Sequence, residues 1–180
     1  NASSDQEYLP VVMASFPAEI ADRTEFLLGK NTINPGIKIV EIIKTLVNCG
    51  AKIIGIGCNT VHSPAIWNEI TQGIPRDIML INMVEASVKH IKDTYPEVKN
   101  VGVLSTSGTW AARVYDQYIV KEDLLPVRMD KNNQESLVQT SIYDKEYGIK
   151  SNSNTPTPAA ISNIYQAIQI LIDNGAETII

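Results

Sequence analysis

Short apolar segments that are typical of strands alternate with longer amphipathic segments along most of this chain. The predicted strands are residues 8–14, 51–57, 78–81 and 101–105, with a further strand from residue 178. The predicted helices are residues 22–28, 35–48, 64–71, 83–94, about 110–120, 135–140 and 157–173. Such alternation favours βαβ units, in which helices cover parallel strands. Because the strands are almost wholly apolar, we expect both faces of each sheet to be buried.

An internal repeat links the first and second parts of the chain. The segment LVNCGAKII, from Leu46, is similar to LIDNGAETII, from Leu171, and aligns Gly50 with Gly175. The spacing is far too long for a solenoid repeat, so it predicts two pseudo-symmetric α/β halves. Each half would contain a helix, a Gly-Ala turn and a strand. The alternative is that Gly-Ala is simply common turn chemistry between a helix and a strand.

The most favourable boundary between the halves is residues 95–100, where a helix ends at Pro96 and a new strand begins. The predicted domains are therefore residues 1–97 and 98–180. We expect a strand to be missing before the first half, and the end of the second half to be missing as well. Cys58 lies eight residues after Gly50, so a matching thiol would lie eight residues after Gly175, at position 183.

Charge and hydropathy argue against several classes of function. The net charge is −5 and the pI is about 5.0, and no Lys/Arg cluster is present, which disfavours nucleic-acid binding. No apolar run reaches the roughly 18 residues of a membrane span, and no basic amphipathic face suits a membrane surface. Two cysteines do not make a disulfide framework, so we expect a reduced, cytoplasmic protein.

The segment IIGIGCNTVHSP, residues 53–64, predicts a ligand site. An apolar strand ends at Cys58, polar residues follow at once, and Ser63-Pro64 is typical of a helix start. In open α/β sheets, ligands bind beyond the carboxyl ends of the strands. A cysteine in this position can be partly exposed. The alternative is that it is a small buried hydrophobe, which is the interpretation we favour for Cys49.

The CNTVH segment resembles the first motif of the aspartate/glutamate racemase family, Cys-Asn-Thr followed by a nearby His. The resemblance covers nearly the whole chain, because DQEYLPVVMASFPAEIADRTEFL, VGVLSTSGT and SIYDKEYGIK are similar to further segments of that family. The residues ETII match those that precede the family's second cysteine motif. The family comparison thus puts the second thiol where the internal repeat does.

This resemblance implies a substrate cleft between two α/β domains, and racemisation of aspartate or glutamate without pyridoxal phosphate or a metal. One cysteine thiolate removes the α-proton from one face of the amino acid, and the other thiol protonates the opposite face. The α-hydrogen is a very weak acid, so its abstraction needs a well-placed base and stabilisation of the developing enediolate. The resemblance also implies a small-molecule substrate and a homodimer.

The site residues are carried over from the same motifs. The resemblance implies that Cys58 is an acid/base and that the substrate is held by Asn59, Thr60, Arg23, Lys150, Thr106 and Ser15, with support from His62, Ser105 and Thr109. Asn59 and Thr60 would bind the α-carboxylate. Arg23 would pair with the side-chain carboxylate of the substrate, and Lys150 would be a second cation.

Each of these residues also has an ordinary structural role open to it. Arg23 could pair with Asp22 or Glu25, and Lys150 could be a solvated loop lysine. His62 could polarise Cys58 or simply hydrogen-bond the loop. Thr106 and Thr109 could be turn and N-cap residues, and Trp67 and Trp110 are expected in the core.

Two other functions are compatible with these residues. One is a one-thiol decarboxylase or isomerase of the same fold, and the other is a carboxylate-binding protein without catalysis. A cysteine at position 183 would favour the racemase, whereas Gly, Ser or Thr there would favour one-sided chemistry. Cys58 and His62 alone do not make a metal-ligand set, and STSGT is not a glycine-rich phosphate loop.

Overall fold

The computed structural model describes residues 3–180. The strands in this part of the chain are β1 Ile53–Gly55, β2 Met79–Ile81, β3 Asn100–Gly102, β4 Leu125–Val127 and β5 Thr178–Ile179. The α-helices are α1 Arg23–Leu27, α2 Pro35–Asn48, α3 Pro64–Gly73, α4 Met83–Thr94, α5 Ser107–Ala111, α6 Asp116–Lys121, α7 Lys131–Asn133, α8 Thr140–Tyr143 and α9 Pro158–Asp173. A π-helical turn, Gln134–Gln139, joins α7 to α8, and 3₁₀ turns lie at Asp5–Glu7, Pro17–Glu19 and Asn59–His62.

The strands form two parallel sheets. β1 pairs with β2, with Ile54 opposite Leu80, and the second sheet has the order β4-β3-β5. In the second sheet Gly102 of β3 lies opposite Val127 of β4 and Ile179 of β5. The predicted α/β class with parallel sheets and flanking helices is therefore confirmed. Within residues 3–180, none of the helices has both the length and the apolar character needed to cross a bilayer.

The repeated Gly-Ala turn has the same geometry in both places. Gly50 and Gly175 have φ values of +94° and +96°, a region that favours glycine. The Ala51 amide donates to the Leu46 carbonyl at 3.1 Å, and the equivalent Ala176 amide donates to Leu171 at 2.9 Å. These bonds close the carboxyl ends of α2 and α9 as Schellman-type caps. Each turn then leads directly into a strand, β1 or β5.

Three apolar clusters make up the buried core of the part of the chain that the structure describes. The first packs α2 and α3 against one face of β1, through Ile43, Ile66 and Ile54. The second packs α4 and α6 around β3, and the third packs α9 against the π-helical turn. Both sheets are thus packed against helices through buried side chains. This packing fixes where the loops after β1 and β3 leave the sheets.

The prediction of a buried strand at residues 8–14 is wrong. This segment forms no strand, and its side chains are exposed, with Leu9 at 85% and Met13 at 89%. The physical reason is that the segment has no hydrogen-bonded strand neighbour within residues 3–180, and Pro10 lacks an amide donor. Apolar composition alone does not bury a segment that lacks a partner.

The prediction that both sheet faces are buried is also wrong for the first sheet. Ile53 and Met79 are 65% and 59% exposed, whereas Ile54 is buried. Exposed and more buried side chains alternate along the two strands because the helices α2 and α3 cover one face of the sheet only. Cys49 is exposed as well, against the expectation that it is buried, because it caps the carboxyl end of α2 at the surface.

Two elements of the second half differ from their predictions. The helix expected at about 110–120 is two helices, α5 and α6, because Arg113 adopts a left-handed φ of +51° between them. The strand β4 is not among the predicted strands, and it contains Pro126. Proline is tolerated there because β4 lies at the edge of its sheet.

Candidate active site

Seven of the residues predicted for the site line one cavity of about 160 Å³. The residues lining it are Asp22, Arg23, Thr24, Cys58, Asn59, Thr60, Thr106, Thr109, Tyr143 and Lys150. At about 30 Å³ for each water molecule, the cavity holds roughly five waters, which is room for a small organic acid. Its lining comes from residues 22–60 and from residues 106–150, so both parts of the chain contribute.

The predicted residues outside this cavity lie close to it. Ser15 lines an adjoining cavity of about 200 Å³, and Cys58 and Arg23 line both cavities. Ser105 and His62 are buried behind the loops and do not line the first cavity. Neither side chain therefore contacts the contents of this cavity.

Cys58 is held at the cavity by hydrogen bonds to its backbone. It follows β1 in an extended conformation, with φ −148° and ψ 111°, and the 3₁₀ turn Asn59–His62 begins directly after it. Its carbonyl accepts hydrogen bonds from the Val61 amide at 3.2 Å and from His62 Nδ1 at 2.9 Å. The side chain is half-buried, as expected for a thiol that lines a cavity.

His62 ties two loops together. Its ring is fully buried and stacks on Trp67, with 4.6 Å between ring centroids. The Met83 amide donates to Nε2 at 3.3 Å, which assigns the proton to Nδ1, the atom that donates to the Cys58 carbonyl. Burial lowers the pKa of His62 below its usual value, in favour of this neutral form. With both nitrogens bonded to backbone groups, the ring holds the loop and has no nitrogen left for the Cys58 thiol.

Three threonine hydroxyls form a chain across the cavity wall. Thr106 Oγ1 donates to Thr109 Oγ1 at 3.3 Å, and Thr109 Oγ1 lies 2.8 Å from Thr60 Oγ1. Thr60 and Thr109 are buried. Two hydrogen bonds use two of the three hydroxyl protons. One proton therefore remains for a hydrogen bond to a ligand, and a carboxylate oxygen is a suitable acceptor.

Two cationic side chains line the cavity without a carboxylate partner among residues 3–180. Neither Arg23 nor Lys150 forms an ion pair within 4.0 Å among the residues that the structure describes. The ion pair of Arg23 with Asp22 or Glu25, the alternative that the sequence left open, is therefore absent from residues 3–180. Asp22 instead caps α1, because its carboxylate accepts a hydrogen bond from the Glu25 amide at 2.8 Å. Lys150 Nζ lies 4.1 Å from the centre of the Tyr143 ring, in a cation–π contact.

Close packing between α1 and α5 positions Arg23. A Cβ atom built on Gly108 would lie 2.5 Å from Thr24 Oγ1, so only glycine allows this approach. Gly108 lies in α5, directly after the loop that carries Thr106. The contact therefore joins the helix of the guanidinium to the loop of the hydroxyl chain.

Sequence reasoning missed Asp22, Thr24 and Tyr143 as lining residues. The signal for Tyr143 was the segment SIYDKEYGIK, which contains both Tyr143 and Lys150. The chain folds back sharply here, since a Cβ on Gly148 would lie 2.4 Å from the Asp144 carbonyl oxygen. The Lys150 amide then donates to the Ile142 carbonyl at 3.1 Å, which brings the lysine over the tyrosine ring.

Comparisons with known proteins agree with this fold. A family model described as Asp/Glu/Hydantoin racemase matches residues 1–180. Among solved structures, the chain is similar to Picrophilus torridus aspartate racemase, with 25% identity and a TM-score of 0.72. It is also similar in fold to an aspartate racemase homologue from Pyrococcus horikoshii OT3, with 16% identity and a TM-score of 0.69. The matches cover 96% and 98% of this chain but 66% and 71% of those chains, so this chain spans about two thirds of their length.

Proposed function

This chain belongs to the Asp/Glu/hydantoin racemase family, and we propose that it interconverts the L and D forms of aspartate or glutamate with two thiols and no organic cofactor. The observation that carries the proposal is one cavity of about 160 Å³ that combines the Cys58 thiol, two cations and a chain of hydroxyls. A dicarboxylic amino acid suits that combination, because each carboxylate has its own donors and the thiol is left for the α-proton.

The proposed binding mode assigns one part of the cavity to each carboxylate. Asn59, Thr60 and the remaining hydroxyl proton of the threonine chain hold the α-carboxylate. The guanidinium of Arg23 pairs with the side-chain carboxylate, and Lys150 adds a second positive charge. Ser15 adds a polar contact to the substrate from the adjoining cavity, and Ser105, Thr109 and His62 support these groups.

The proposed proton transfer begins at Cys58. Its thiolate takes the α-proton, and the electrons of the broken C–H bond delocalise into the α-carboxylate as an enediolate. The donors around that carboxylate stabilise the developing charge. A second thiol then gives its proton to the opposite face of the α-carbon, which completes the inversion. Afterwards Cys58 carries a proton and the second sulfur is the thiolate, so the reverse reaction starts from that state.

The register of the second sheet would bring position 183 close to the cavity. Gly102 of β3 pairs with Ile179 of β5, and Thr106 at the cavity lies four residues after Gly102. Position 183 lies four residues after Ile179, so a strand that continued in the same direction would bring it level with Thr106. The repeat that aligns Gly50 with Gly175 assigns the counterpart of Cys58 to the same position. The first half, residues 1–97, would then supply Cys58, and the second half, which begins at residue 98, would supply the other thiol from position 183 to a cleft between them.

A chiral assay on the intact gene product tests the proposal. Incubation with L-aspartate or with L-glutamate should lead to loss of optical activity for at least one of the two. Cys58→Ala should abolish the reaction, whereas Cys49→Ala should leave it unchanged, because Cys49 lies at the surface end of α2. Carbon dioxide release in place of racemisation would indicate a one-thiol decarboxylase, and tight binding without turnover would indicate a carboxylate-binding protein. We also propose a homodimer, which the family resemblance implies, and light scattering on the same sample tests it.

A further inference from the structure

The helix from Lys131 to Tyr143 contains a π-helical turn, Gln134–Gln139, between α7 and α8. Such turns are rare in proteins, and those that do occur often lie at functional sites. In a regular α-helix, residues five apart point about 140° away from each other. The i→i+5 bonding of a π turn brings them close to the same face. Here those two residues are glutamines, at the two ends of the turn.

Gln134 binds the loop that precedes α5. Its side chain is fully buried, and Nε2 donates to the Ser105 carbonyl at 2.8 Å. Its Oε1 is buried and has no hydrogen-bond partner among the residues that the structure describes. An apolar side chain would fill this space at a lower desolvation cost. The presence of the Gln134 side-chain amide at this buried position is therefore best explained by its hydrogen bond to the Ser105 carbonyl.

Gln139 binds the same loop two residues later. Its Oε1 accepts a hydrogen bond from the Ser107 amide at 2.9 Å. Thr106, whose side chain lines the cavity, lies between the two bonded residues. The two glutamines thus hold the backbone on either side of Thr106, one by donating and the other by accepting.

We propose that Gln134 and Gln139 are positioning residues, which act through the backbone of residues 105–107 to hold the Thr106 hydroxyl in the threonine chain of the cavity. Neither glutamine lines that cavity. Their effect passes from Thr106 to Thr109 and then to Thr60, which is two residues from Cys58. The catalytic consequence rests on the proposed function, whereas the effect on the loop does not.

Hydrogen exchange on the intact gene product tests the effect on the loop. Gln139→Met keeps the length of the side chain but removes the acceptor for the Ser107 amide. Exchange of that amide should rise about fivefold, the effect of one lost hydrogen bond. Gln139→Glu keeps an acceptor oxygen and should restore slow exchange. Gln169→Met, on the exposed side of α9, is the control and should change nothing at this loop. Equal exchange in wild type and Gln139→Met would overturn the proposal.

A double-mutant cycle tests the effect on the site. Gln139→Met should lower kcat/KM about tenfold in the wild-type background, with Gln139→Glu recovering most of it, and Gln134→Met should act in the same direction. In a Thr106→Val background, Gln139→Met should change kcat/KM by less than about twofold, because the group that it positions is gone. Full, independent losses in both backgrounds would contradict a role through Thr106. If the wild-type protein does not racemise either amino acid, the proposed function fails, and the exchange of the Ser107 amide still decides whether the glutamines hold the loop.

Discussion

At the scale of single residues, the cavity wall depends on hydroxyl groups from two distant parts of the chain. Thr60 follows Cys58 by two residues, and Thr109 lies in α5, yet their oxygens are 2.8 Å apart. Both side chains are buried, so the bond is shielded from water. A shielded hydroxyl is a preorganised donor for a ligand carboxylate, because it needs little reorganisation when the ligand binds.

Removal of the Thr60 hydroxyl should weaken the reaction strongly. Thr60→Val keeps the shape of the side chain but reduces the row of three threonine hydroxyls to two. A hydrogen bond to a charged group is worth about 1.5–3 kcal/mol, so kcat/KM should fall about ten- to hundredfold. Thr45→Val, on the exposed face of α2, is the matched control. A Thr60→Val enzyme with wild-type kinetics would remove the hydroxyl chain from the binding mode.

The buried His62 should make folding stability depend on pH. Burial lowers its pKa in the folded state, so below the ordinary value of about 6.5 the unfolded chain binds the proton first. The free energy of unfolding should therefore decrease as the pH falls from 6.5 toward the folded-state pKa, by at most about 1.4 kcal/mol for each pH unit. Above pH 7 this contribution is constant, because the ring is neutral in both states.

Urea unfolding between pH 7.5 and 5 measures this dependence. His62→Gln keeps one donor and one acceptor but cannot titrate, so its unfolding free energy should vary less over this range. His90→Gln, on the exposed side of α4, should behave as the wild type does. Parallel curves for wild type and His62→Gln would show that the buried ring is not the group responsible.

At the scale of elements, the short helices α1 and α5 determine where Arg23 and the Thr106 loop lie. α1 has five residues, so its own backbone hydrogen bonds hold it weakly. Its position depends instead on tertiary packing: Phe26 and Leu27 contact the first apolar cluster, and Thr24 contacts Gly108. A small change at that contact therefore moves the guanidinium relative to the thiol.

Gly108→Ala tests this contact. The added methyl group would meet Thr24 Oγ1 at 2.5 Å, so α1 must shift away from α5. We expect KM to rise about tenfold, with a loss of stability of roughly 1–3 kcal/mol from overpacking. Gly55→Ala is the control, since a Cβ there meets no atom within 4 Å. Thr24→Ala in the Gly108→Ala background should recover part of the loss, and an unchanged KM in Gly108→Ala alone would argue against this role of the packing.

The elements also show how far sequence reasoning could reach. Helices α2 and α4 agree with their predicted bounds, because each has a clear start, an apolar face and a definite end. The prediction of a strand at residues 8–14 was wrong because a strand needs a neighbouring strand to pair with. Local apolar character does not reveal whether such a neighbour exists. Tyr143 and the glutamine pair were missed for a similar reason. Their roles depend on a sharp turn at Gly148 and on a π turn, and neither has a sequence pattern of its own.

At the scale of the whole molecule, the same Gly-Ala turn occurs in both parts of the chain. The turns at Gly50 and Gly175 have the same hydrogen bonds, and each leads into a parallel strand. The strand after the first turn leads to Cys58. The sequence repeat could predict that a turn precedes a strand in both places, whereas the roles proposed for Arg23 and Lys150 depend on the family resemblance, since a single Arg or Lys has no distinguishing sequence pattern.

The α-proton exchange of the substrate in D2O tests the two-thiol account most directly. The intact gene product is incubated with L-aspartate and with L-glutamate, and deuterium and chirality are followed together at early times. We predict that the D-enantiomer appears carrying deuterium while the remaining L-enantiomer keeps its protium, and that Cys58→Ala abolishes both signals. Deuterium in recovered L-amino acid without any D-enantiomer would mean that a single thiol works on one face. Absence of exchange from both amino acids, with the protein folded and reduced, would contradict the racemase account.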